Sequence, residues 1–467
     1  MVFSTPEFLF IFLPIVWLGF WGLAIYTKQQ FLLGWLGIAS LVFYGAWNIT
    51  LLPLLLTSIA VNFWLAGYAT RPSCGWLWLG IIFNLTLLGW FKYSLFFLSL
   101  VELPAFTYSP LVLPLGISFF TFQQIAFLVD VRRKLIVRGS FSLYGVFVSF
   151  FPQLIAGPIV HYQNLAPQLS CLARPTAATL RCGLLLLTLG LAKKLLIADN
   201  LAPYVDQLFA KPAGSFVAGD TLTAGWAYGL QLYFDFSGYA DMAIGLALLF
   251  GISLPDNFAS PYRSGDIQAF WRRWHITLSH FLRDYLYVPL GGNQHGIPRH
   301  FFALMATMLL GGLWHGAGWQ FVLWGGLHGL LLVVLTIWRS VSPYRLPFVM
   351  GWLLTIVAIM LAWIPFRAND LSHTWTIYSG LSLWQWGALG DIWKELNIGV
   401  MALRSPGALM IAATLIALTL PNSRTIVTRL NNHKNIYWQG ILVGSVILAV
   451  IKAMLDLPSQ AFLYFNF

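Results

Sequence analysis

Charged side chains are scarce in this sequence. Asp, Glu, Lys and Arg make up 9% of its 467 residues, against roughly 25% in a typical soluble domain. Hydrophobic residues make up 59%, and the mean hydropathy is +0.76. As a water-soluble protein, such a chain would expose too much apolar surface. The sequence therefore predicts an integral membrane protein, with the lipid bilayer as its first partner.

Cysteine and the common cofactor motifs are also sparse or missing. The three cysteines, Cys74, Cys171 and Cys182, are odd in number and lack metal-ligand spacing, which argues against a disulfide framework or a zinc site. The sequence contains no His-Glu-x-x-His, Gly-x-Gly-x-x-Gly or Walker phosphate loop. We therefore expect no bound metal and no resident cofactor.

Long apolar runs recur along the whole sequence. Runs of about 20 apolar residues suit helices that cross a hydrocarbon layer about 30 Å thick. They predict an all-α, polytopic fold with about ten to twelve helical segments, interpreted as one domain over residues 1–467. The run at 151–158 contains two prolines and a glycine and is predicted to be re-entrant. The expected spans are 8–26, 32–48, 50–69, 76–100, 111–131, 143–160, 180–198, 222–252, 301–337, 348–366, 405–420 and 436–455.

Basic residues set the expected orientation. The net charge of +11 comes mostly from short links between apolar runs, which is typical of membrane topology signals and argues against a nucleic-acid partner. Glu7 stands where a signal peptide would be basic, so the first run is expected to remain as an anchor. Among the first five runs, the links on one side carry no Lys or Arg. Those on the other side carry six: Lys28, Arg71, Arg132, Arg133, Lys134 and Arg138. The positive-inside rule therefore predicts an outer amino terminus.

Two histidines stand out in lipid-compatible sequence. His275 lies in Phe270-Trp-Arg-Arg-Trp-His-Ile-Thr-Leu-Ser279, and His315 lies in Leu309-Leu-Gly-Gly-Leu-Trp-His-Gly-Ala-Gly318. Apolar neighbours cannot replace the hydration of an imidazole, so each ring is a candidate functional group. On one continuous helix, Arg272, His275, Ser279 and Arg283 would form a single stripe. That stripe predicts either a cavity-lining helix or a surface helix that faces lipid headgroups.

A second polar set interrupts the apolar run that contains Gln231-Leu-Tyr-Phe-Asp-Phe-Ser-Gly-Tyr-Ala-Asp241. Asp235 and Asp241 must be paired, hydrogen-bonded, protonated or exposed to a water-filled cavity at that depth. One interpretation is a buried ion pair with Arg272 or Arg273, and the other is a direct functional role. His328 follows His315 by 13 positions and falls on a different helical face. We interpret it as a packing or hydrogen-bonding residue.

The motifs around both histidines resemble the membrane-bound O-acyltransferase superfamily. The resemblance rests on the string at 270–279, on Phe281-Leu-Arg-Asp-Tyr-Leu-Tyr and on Leu310-Gly-Gly-Leu-Trp-His-Gly. Tyr233-Phe-Asp-Phe-Ser-Gly-Tyr and the terminal Phe462-Leu-Tyr-Phe-Asn-Phe467 are similar to the branch that contains the membrane subunits of bacterial alginate O-acetylation. The resemblance implies a helix bundle around a central tunnel. The candidate residues for contacting substrate or lining this tunnel are Asp235, Ser237, Tyr239, Asp241, Arg272, Ser279 and Trp314.

The resemblance also implies a reaction and its partners. His315 matches the principal catalytic histidine, and His275 matches a second histidine that positions substrate. The donor would be acetyl-CoA or another acyl thioester in the cytoplasm. The acceptor would be an extracytoplasmic polysaccharide such as alginate, reached with a separate extracytoplasmic acetyltransferase as partner protein. The implied location is the bacterial inner membrane.

The chemistry of the residues agrees with that reaction. An imidazole whose pKa is about 6.5 can remove the proton of a hydroxyl as the hydroxyl attacks a thioester, so His315 is the expected general base. His275, Ser279 and the backbone N–H groups near Gly311 and Gly312 are candidates for stabilising the oxyanion. The alternative is a proton-coupled transporter or flippase in which His275, His315, Asp235 and Asp241 relay protons.

Overall fold

Helices make up the fold. The computed structural model describes residues 2–26, 28–70, 75–100, 112–396, 405–432, 436–456 and 462–463, and no strand occurs in these ranges. Five helices are long and apolar enough to cross a membrane: Phe8–Tyr26, Ile49–Ala66, Gly75–Leu98, Trp319–Val341 and Phe348–Arg367. A sixth candidate is the pair Pro406–Thr419 and Ser423–Asn431, bent by 71°. The predicted all-α, polytopic architecture is confirmed.

Two compact units divide the described chain. Unit 1 comprises Met1–Gly190, Tyr239–Asp256 and Val427–Ser459, and unit 2 comprises Leu191–Gly238, Asn257–Ile426 and Gln460–Phe467. The long helix over 218–249 supplies residues to both. The expectation of one functional domain over 1–467 stays a prediction.

The first ten helices lie within residues 13–192. They are α1 Leu13–Tyr26, α2 Gln29–Gly45, α3 Leu52–Ala66, α4 Gly75–Leu88, α5 Ser94–Leu100, α6 Ile117–Arg132, α7 Phe141–Ser149, α8 Phe151–Leu154, α9 Tyr162–Leu169 and α10 Ala177–Ala192. Phe150 separates α7 from the short α8, and residues 151–160 are all buried. The Ser40 hydroxyl accepts a hydrogen bond from the Phe151 N–H at 3.1 Å. The irregular backbone predicted here is thus shielded by protein, as a membrane interior requires.

The remaining helices are α11 Asp199–Phe209, α12 Ala218–Leu249, α13 Ile267–Trp271, α14 Ile276–Leu282, α15 Gly296–His315, α16 Trp319–Val341, α17 Phe348–Arg367, α18 Leu371–Ser379, α19 Gly387–Leu396, α20 Pro406–Thr419, α21 Ser423–Asn432 and α22 Ile436–Asp456. π-helical turns occur at Phe8–Phe12, Gly89–Tyr93, Lys193–Ala198 and Arg283–Tyr287. Short 3₁₀ turns occur at Ile49–Leu51, Pro261–Arg263 and Gly380–Ser382.

Helices α15 and α16 replace the single span expected over 301–337. The prediction of one continuous helix there is wrong, because the chain reverses at Gly316–Gly318 and the two helices pack side by side. A Cβ atom on Gly312 would collide with the Phe321 carbonyl oxygen, and one on Gly325 would collide with the Met308 carbonyl oxygen. The glycines therefore allow the two backbones to approach closely.

Candidate active site

His315 is the last residue of α15, and aromatic rings enclose it. Its side chain is 4% exposed. Its ring centroid lies 4.9 Å from that of Trp314, 5.0 Å from Trp324 and 5.1 Å from Phe366. These rings belong to α15, α16 and α17. The surroundings exclude bulk water while leaving an ionisable ring in the interior of unit 2, an arrangement typical of functional sites.

His275 occupies the break between α13 and α14. It is fully buried and has φ +43°, the left-handed conformation that costs a non-glycine residue roughly 1–2 kcal/mol. The Phe236 ring meets its imidazole edge-on, with the centroids 4.7 Å apart. The predicted continuous stripe of Arg272, His275, Ser279 and Arg283 is therefore wrong: the backbone turns at His275 and sends its ring inward.

Asn257 explains why the helix breaks at this point. Its carbonyl oxygen accepts a hydrogen bond from Ile276 N–H at 3.0 Å. Its side-chain Oδ1 accepts from Thr277 N–H at 3.2 Å and from the Thr277 hydroxyl at 2.9 Å. Since a backbone N–H can only donate, Oδ1 is an acceptor, and His275 Nδ1, 3.2 Å away, must donate to it. The proton of the neutral ring therefore lies on Nδ1, which leaves Nε2 as the basic nitrogen.

Burial keeps the His275 ring neutral. The residue lies outside the candidate membrane spans, and its burial lowers the pKa of the imidazole to about 3. A neutral ring can accept a hydrogen bond or a proton through Nε2.

Trp314 connects the two histidines. Its ring centroid lies 4.9 Å from that of His315 and 6.4 Å from that of His275. The structure therefore brings together three of the predicted site residues, His275, Trp314 and His315, within unit 2.

Arg272 and Ser279 line a neighbouring cavity of about 340 Å³. Arg283, Arg339, His280 and His300 also line it, and none of its described lining residues is acidic. Arg339 and Arg283 each form an ion pair at the surface, with Asp266 at 3.0 Å and with Asp284 at 2.7 Å. Trp271 forms part of the inner wall, and its ring lies 5.8 Å from that of Trp324 beside His315. The cavity is large enough for part of an anionic ligand.

Several expected oxyanion donors are already engaged. The Ser279 hydroxyl donates to the Trp271 carbonyl oxygen at 2.9 Å. Gly311 and Gly312 lie inside α15, where helical hydrogen bonds use their backbone N–H groups. His275 Nδ1–H is directed to Asn257. These contacts correct the expectation that those groups are available to stabilise an oxyanion.

The polar residues of the 231–241 run all lie on α12 and have different surroundings. Asp235 and Ser237 are 1% exposed and belong to unit 2. Tyr239 and Asp241 belong to unit 1, where Tyr239 is buried and stacks on Phe3 at 4.8 Å and Asp241 is partly exposed. Asp235 and Ser237 thus belong to one unit, and Tyr239 and Asp241 belong to the other.

Asp235 pairs with Lys194. Its Oδ1 lies 2.7 Å from Lys194 Nζ, which also lies 2.7 Å from Asp199 Oδ1. The expected pairing with Arg272 or Arg273 is wrong, because Arg272 lines one cavity and Arg273 another, while the π-helical turn at Lys193–Ala198 directs Lys194 to α12. The signal in the sequence is the pair of lysines, Lys193 and Lys194, inside the apolar run 180–198.

His328 is buried in the same aromatic region. It is 0% exposed, and its ring lies 4.8 Å from Trp324 and 5.2 Å from Trp271. Within the described residues neither ring nitrogen has a hydrogen-bond partner. The expected packing role agrees with these contacts. The sequence pattern did not predict Asn257 and Thr277 beside His275, or Lys194 and Asp199 beside Asp235.

A family profile now matches the chain. The profile described as MBOAT, membrane-bound O-acyltransferase family, covers residues 132–369, just over half of the sequence. The chain belongs to the membrane-bound O-acyltransferase family. The match contains His275, His315, Asn257 and Lys194, the residues on which the site is built.

Relatives of this family member extend the likeness over the full length. A Helicobacter pylori protein named peptidoglycan O-acetyltransferase is 39% identical over 100% of this chain and 98% of its own. An Azotobacter vinelandii protein named probable alginate O-acetylase AlgI is 38% identical over 84% of this chain and 80% of its own. A Streptococcus thermophilus teichoic acid D-alanyltransferase is 28% identical over 48% of this chain and 57% of its own.

These relatives decide between the two classes of function that the sequence left open. The family and the named relatives are acyltransferases, so this multi-pass membrane protein is an O-acyltransferase enzyme.

Proposed function

We propose that this enzyme transfers an acetyl group from a cytoplasmic thioester to hydroxyl groups of an extracytoplasmic polysaccharide, with His315 as the general base. The observation that carries the proposal is the position of His315 at the end of α15, buried among aromatic rings and joined to His275 through Trp314. His315 thus lies in an aromatic environment, and Trp314 lies close to both histidine rings.

The proposed reaction uses His315 twice. Its imidazole accepts the proton as the acceptor oxygen forms a bond to the thioester carbonyl carbon, and the carbon–sulfur bond then breaks. The imidazolium returns that proton to the departing thiolate. Such general base catalysis contributes typically 10²–10⁴ in rate. The surrounding rings limit competing attack by water on the thioester.

The distribution of arginine supports the direction of transfer. The end of unit 2 where α16 stops and α17 begins carries Arg263, Arg272, Arg273, Arg283, Arg299, Arg339 and Arg345. At the opposite end, α17 finishes at Arg367, which pairs with Asp206 at 2.7 Å. The positive-inside rule assigns the arginine-rich end to the cytoplasm. The cavity lined by Arg272 opens at that end and is the proposed entrance for the anionic donor.

The position of His315 suits an acceptor that arrives from the other side. Along α15, His315 lies about 12 Å beyond Thr307, an inner residue of the cavity. A donor with a long, flexible thioester arm, such as acetyl-CoA or an acylated carrier protein, would carry its acyl group toward this depth. Coenzyme A itself would remain in the cytoplasm.

His275 is proposed to position substrate. Asn257 fixes its tautomer and its strained backbone, and Phe236 fixes the plane of its ring. The Nε2 lone pair can accept a hydrogen bond from a neighbouring hydroxyl of the acceptor, which would orient the attacking hydroxyl so that its own proton points to His315. We expect His275→Ala to weaken acceptor binding more than it slows the chemical step.

The proposed acceptor is a cell-surface polysaccharide. Relatives that match most of this chain are named for peptidoglycan and alginate, both of which are polymers outside the cytoplasm. A separate extracytoplasmic acetyltransferase is the proposed partner that receives the acyl group or presents the polymer. Deletion of that partner in cells should stop polymer modification, while efficient acetylation of long polymer by the purified subunit alone would contradict this division of labour.

The function is tested with purified protein in lipid nanodiscs. Acetyl-CoA and an acetylated carrier protein, both labelled in the acetyl group, are supplied separately with alginate or peptidoglycan fragments, with and without the partner. We expect a labelled ester on one acceptor. The donor is the thioester, acetyl-CoA or the acetylated carrier protein, whose label appears in that ester. Movement of substrate across proteoliposomes without any labelled ester would contradict it.

A further inference from the structure

Phe462 and Leu463 reach the core of unit 2. Phe462 is 0% exposed, and its ring lies 5.8 Å from that of Phe236 on α12. The backbone N–H of Leu463 donates a hydrogen bond to Asp235 Oδ2 at 2.9 Å. Two neighbouring residues near the end of the chain thus contact two neighbouring residues in the middle of α12.

The contact at Asp235 completes a buried charge cluster. Lys194 lies between Asp199 and Asp235, and the three side chains are 4%, 6% and 1% exposed. One ammonium and two carboxylates give a formal charge of −1. Buried ionic groups are tolerated only when they are paired and their remaining hydrogen-bonding positions are filled. Lys194 contacts Oδ1 of Asp235, and the Leu463 N–H donates a hydrogen bond to Oδ2.

The contact at Phe236 leads directly to the site. The Phe236 ring lies between the rings of Phe462, 5.8 Å away, and His275, 4.7 Å away. Aromatic pairs at such distances fix one another's orientation. The imidazole of His275 is thus held by Asn257 through Nδ1 and by Phe236 against its ring.

We propose that Phe462 and Leu463 are positioning residues of the active site. The Leu463 N–H and the Phe462 ring hold Asp235 and Phe236 in the arrangement that fixes His275. These two residues therefore contribute to the function of the enzyme through their contacts with α12. This inference rests on the proposed function, because it assigns the effect to the step that His275 assists.

A pair of substitutions at one position isolates the backbone contact. Leu463→Pro removes the N–H that donates to Asp235, whereas Leu463→Ala keeps it and shortens the side chain. Loss of a buried hydrogen bond to a charged group should lower kcat/KM for acyl transfer roughly tenfold or more in Leu463→Pro. Leu463→Ala should stay close to wild type. Phe462→Ala should act in the same direction, and Phe462→Leu should partly restore activity.

The kinetic pattern separates positioning from folding. Because the contacts lead to His275, Leu463→Pro should raise the KM for the acceptor and leave the KM for the thioester donor unchanged, as His275→Ala should. These constants are measured on the monodisperse fraction after purification. If Leu463→Pro lowers only the yield or thermal midpoint, with wild-type constants in the folded fraction, the segment has a structural role alone and the inference is overturned.

A measurement that does not depend on catalysis distinguishes failure of this inference from failure of the proposed function. In a background with Cys74, Cys171 and Cys182 replaced by serine, Leu463→Cys keeps the backbone donor and introduces one thiol. The reaction of that thiol with a membrane-permeant maleimide should be slow, and it should accelerate when Asp235→Ala is added. A rate that does not respond to Asp235→Ala would overturn the proposed contact, whether or not acyl transfer is observed.

Discussion

At the scale of single residues, Asn257 determines what His275 can do. It receives hydrogen bonds from the backbone and hydroxyl of Thr277, from Ile276 N–H and from His275 Nδ1. These bonds stabilise a left-handed backbone that an imidazole-bearing residue would otherwise avoid. The strain is therefore located at the residue proposed to meet the acceptor.

Asn257→Ala should damage both stability and activity. It removes three hydrogen bonds to Oδ1 while leaving the backbone carbonyl in place, so we expect a loss of about 1–3 kcal/mol and a clear drop in acyl transfer. Asn293→Ala, at an exposed position, is the matched control. Thermal unfolding in detergent and a transfer assay measure the two effects. Wild-type values for Asn257→Ala in both assays would remove Asn257 from the site.

The stability of the protein should depend on pH through His275. Burial lowers the pKa of this imidazole to about 3, whereas the unfolded value is about 6.5. Between these two pKa values the unfolded chain binds more protons than the folded one. The neutral ring therefore makes its full contribution to the free energy of unfolding above about pH 6.5, and this contribution is lost as the pH falls. The thermal midpoint should decrease more between about pH 7.5 and pH 5 in wild type than in His275→Gln. Equal decreases would show that His275 is not the group responsible.

The sequence draws attention to the two candidate histidines more readily than to their hydrogen-bond partners. An imidazole in an apolar run is conspicuous, so His275 and His315 were both identified, and the structure joins them through Trp314. Asn257 gave no such signal, because an asparagine in a polar loop is common. Its importance depends on a fold that places it against residues 18–20 positions later.

At the scale of helices, the close approach of α15 and α16 positions His315 at the end of a rigid pair. The approach depends on glycines whose added Cβ would meet backbone atoms of the facing helix. The sequence pattern nevertheless predicts one helix over 301–337. An apolar run shows where a chain is buried, but it does not show where the chain reverses.

Gly325→Ala and Gly326→Ala should separate packing from helix propensity. A Cβ at position 325 collides with the Met308 carbonyl oxygen, while one at 326 meets Leu309 Cδ2 at an ordinary 3.5 Å. We expect Gly325→Ala to destabilise the protein by about 1–3 kcal/mol and Gly326→Ala to be neutral or slightly stabilising. Thermal unfolding of both variants checks this, and indistinguishable midpoints would contradict the packing account.

Substitution of the buried Lys194 tests the packing of helices a second time. Lys194→Met leaves Asp199 and Asp235 without their shared cation, which should cost about 3–5 kcal/mol and sharply reduce folded protein. Lys193→Met, beside it on the same π-helical turn, should be mild. Combining Lys194→Met with Asp199→Asn and Asp235→Asn should restore folded protein, since no uncompensated charge remains. Failure of that rescue would indicate a role for Lys194 beyond charge pairing.

Helix boundaries depended on tertiary contacts that no local pattern contains. The stripe of Arg272, His275, Ser279 and Arg283 fits a helix by spacing, yet Asn257 takes the N–H groups of Ile276 and Thr277 and ends it. Asp235 similarly pairs with Lys194, 41 positions earlier, because helical residues distant in sequence share a buried surface. Composition predicted the membrane class, but packing determined these partners.

At the scale of the whole molecule, the proposed direction of acyl transfer rests on the arrangement of charge. The first half of the chain predicts an outer amino terminus, and the arginine-rich end of unit 2 is proposed to face the cytoplasm. Thioester donors are made in the cytoplasm, and the polymers for which the relatives are named lie outside it. The transfer proposed here therefore requires a defined topology.

Single cysteines in a cysteine-free background test that topology. Glu7→Cys and Val137→Cys both place a thiol at an exposed position of unit 1. A membrane-impermeant thiol reagent applied to intact spheroplasts should label position 7 and leave position 137 unlabelled until the membrane is permeabilised. Labelling at 137 without labelling at 7 would invert the topology and contradict the direction of transfer.

The central claim is that His315 removes the acceptor proton during acyl transfer. The most direct measurement compares wild type, His315→Ala and the exposed-histidine control His295→Ala, at equal amounts of folded protein, for ester formation from a labelled acetyl thioester. We predict that His315→Ala lowers the rate by about 10²–10⁴, with donor binding retained, and that His295→Ala matches wild type. A rate for His315→Ala within a few-fold of wild type would contradict the claim.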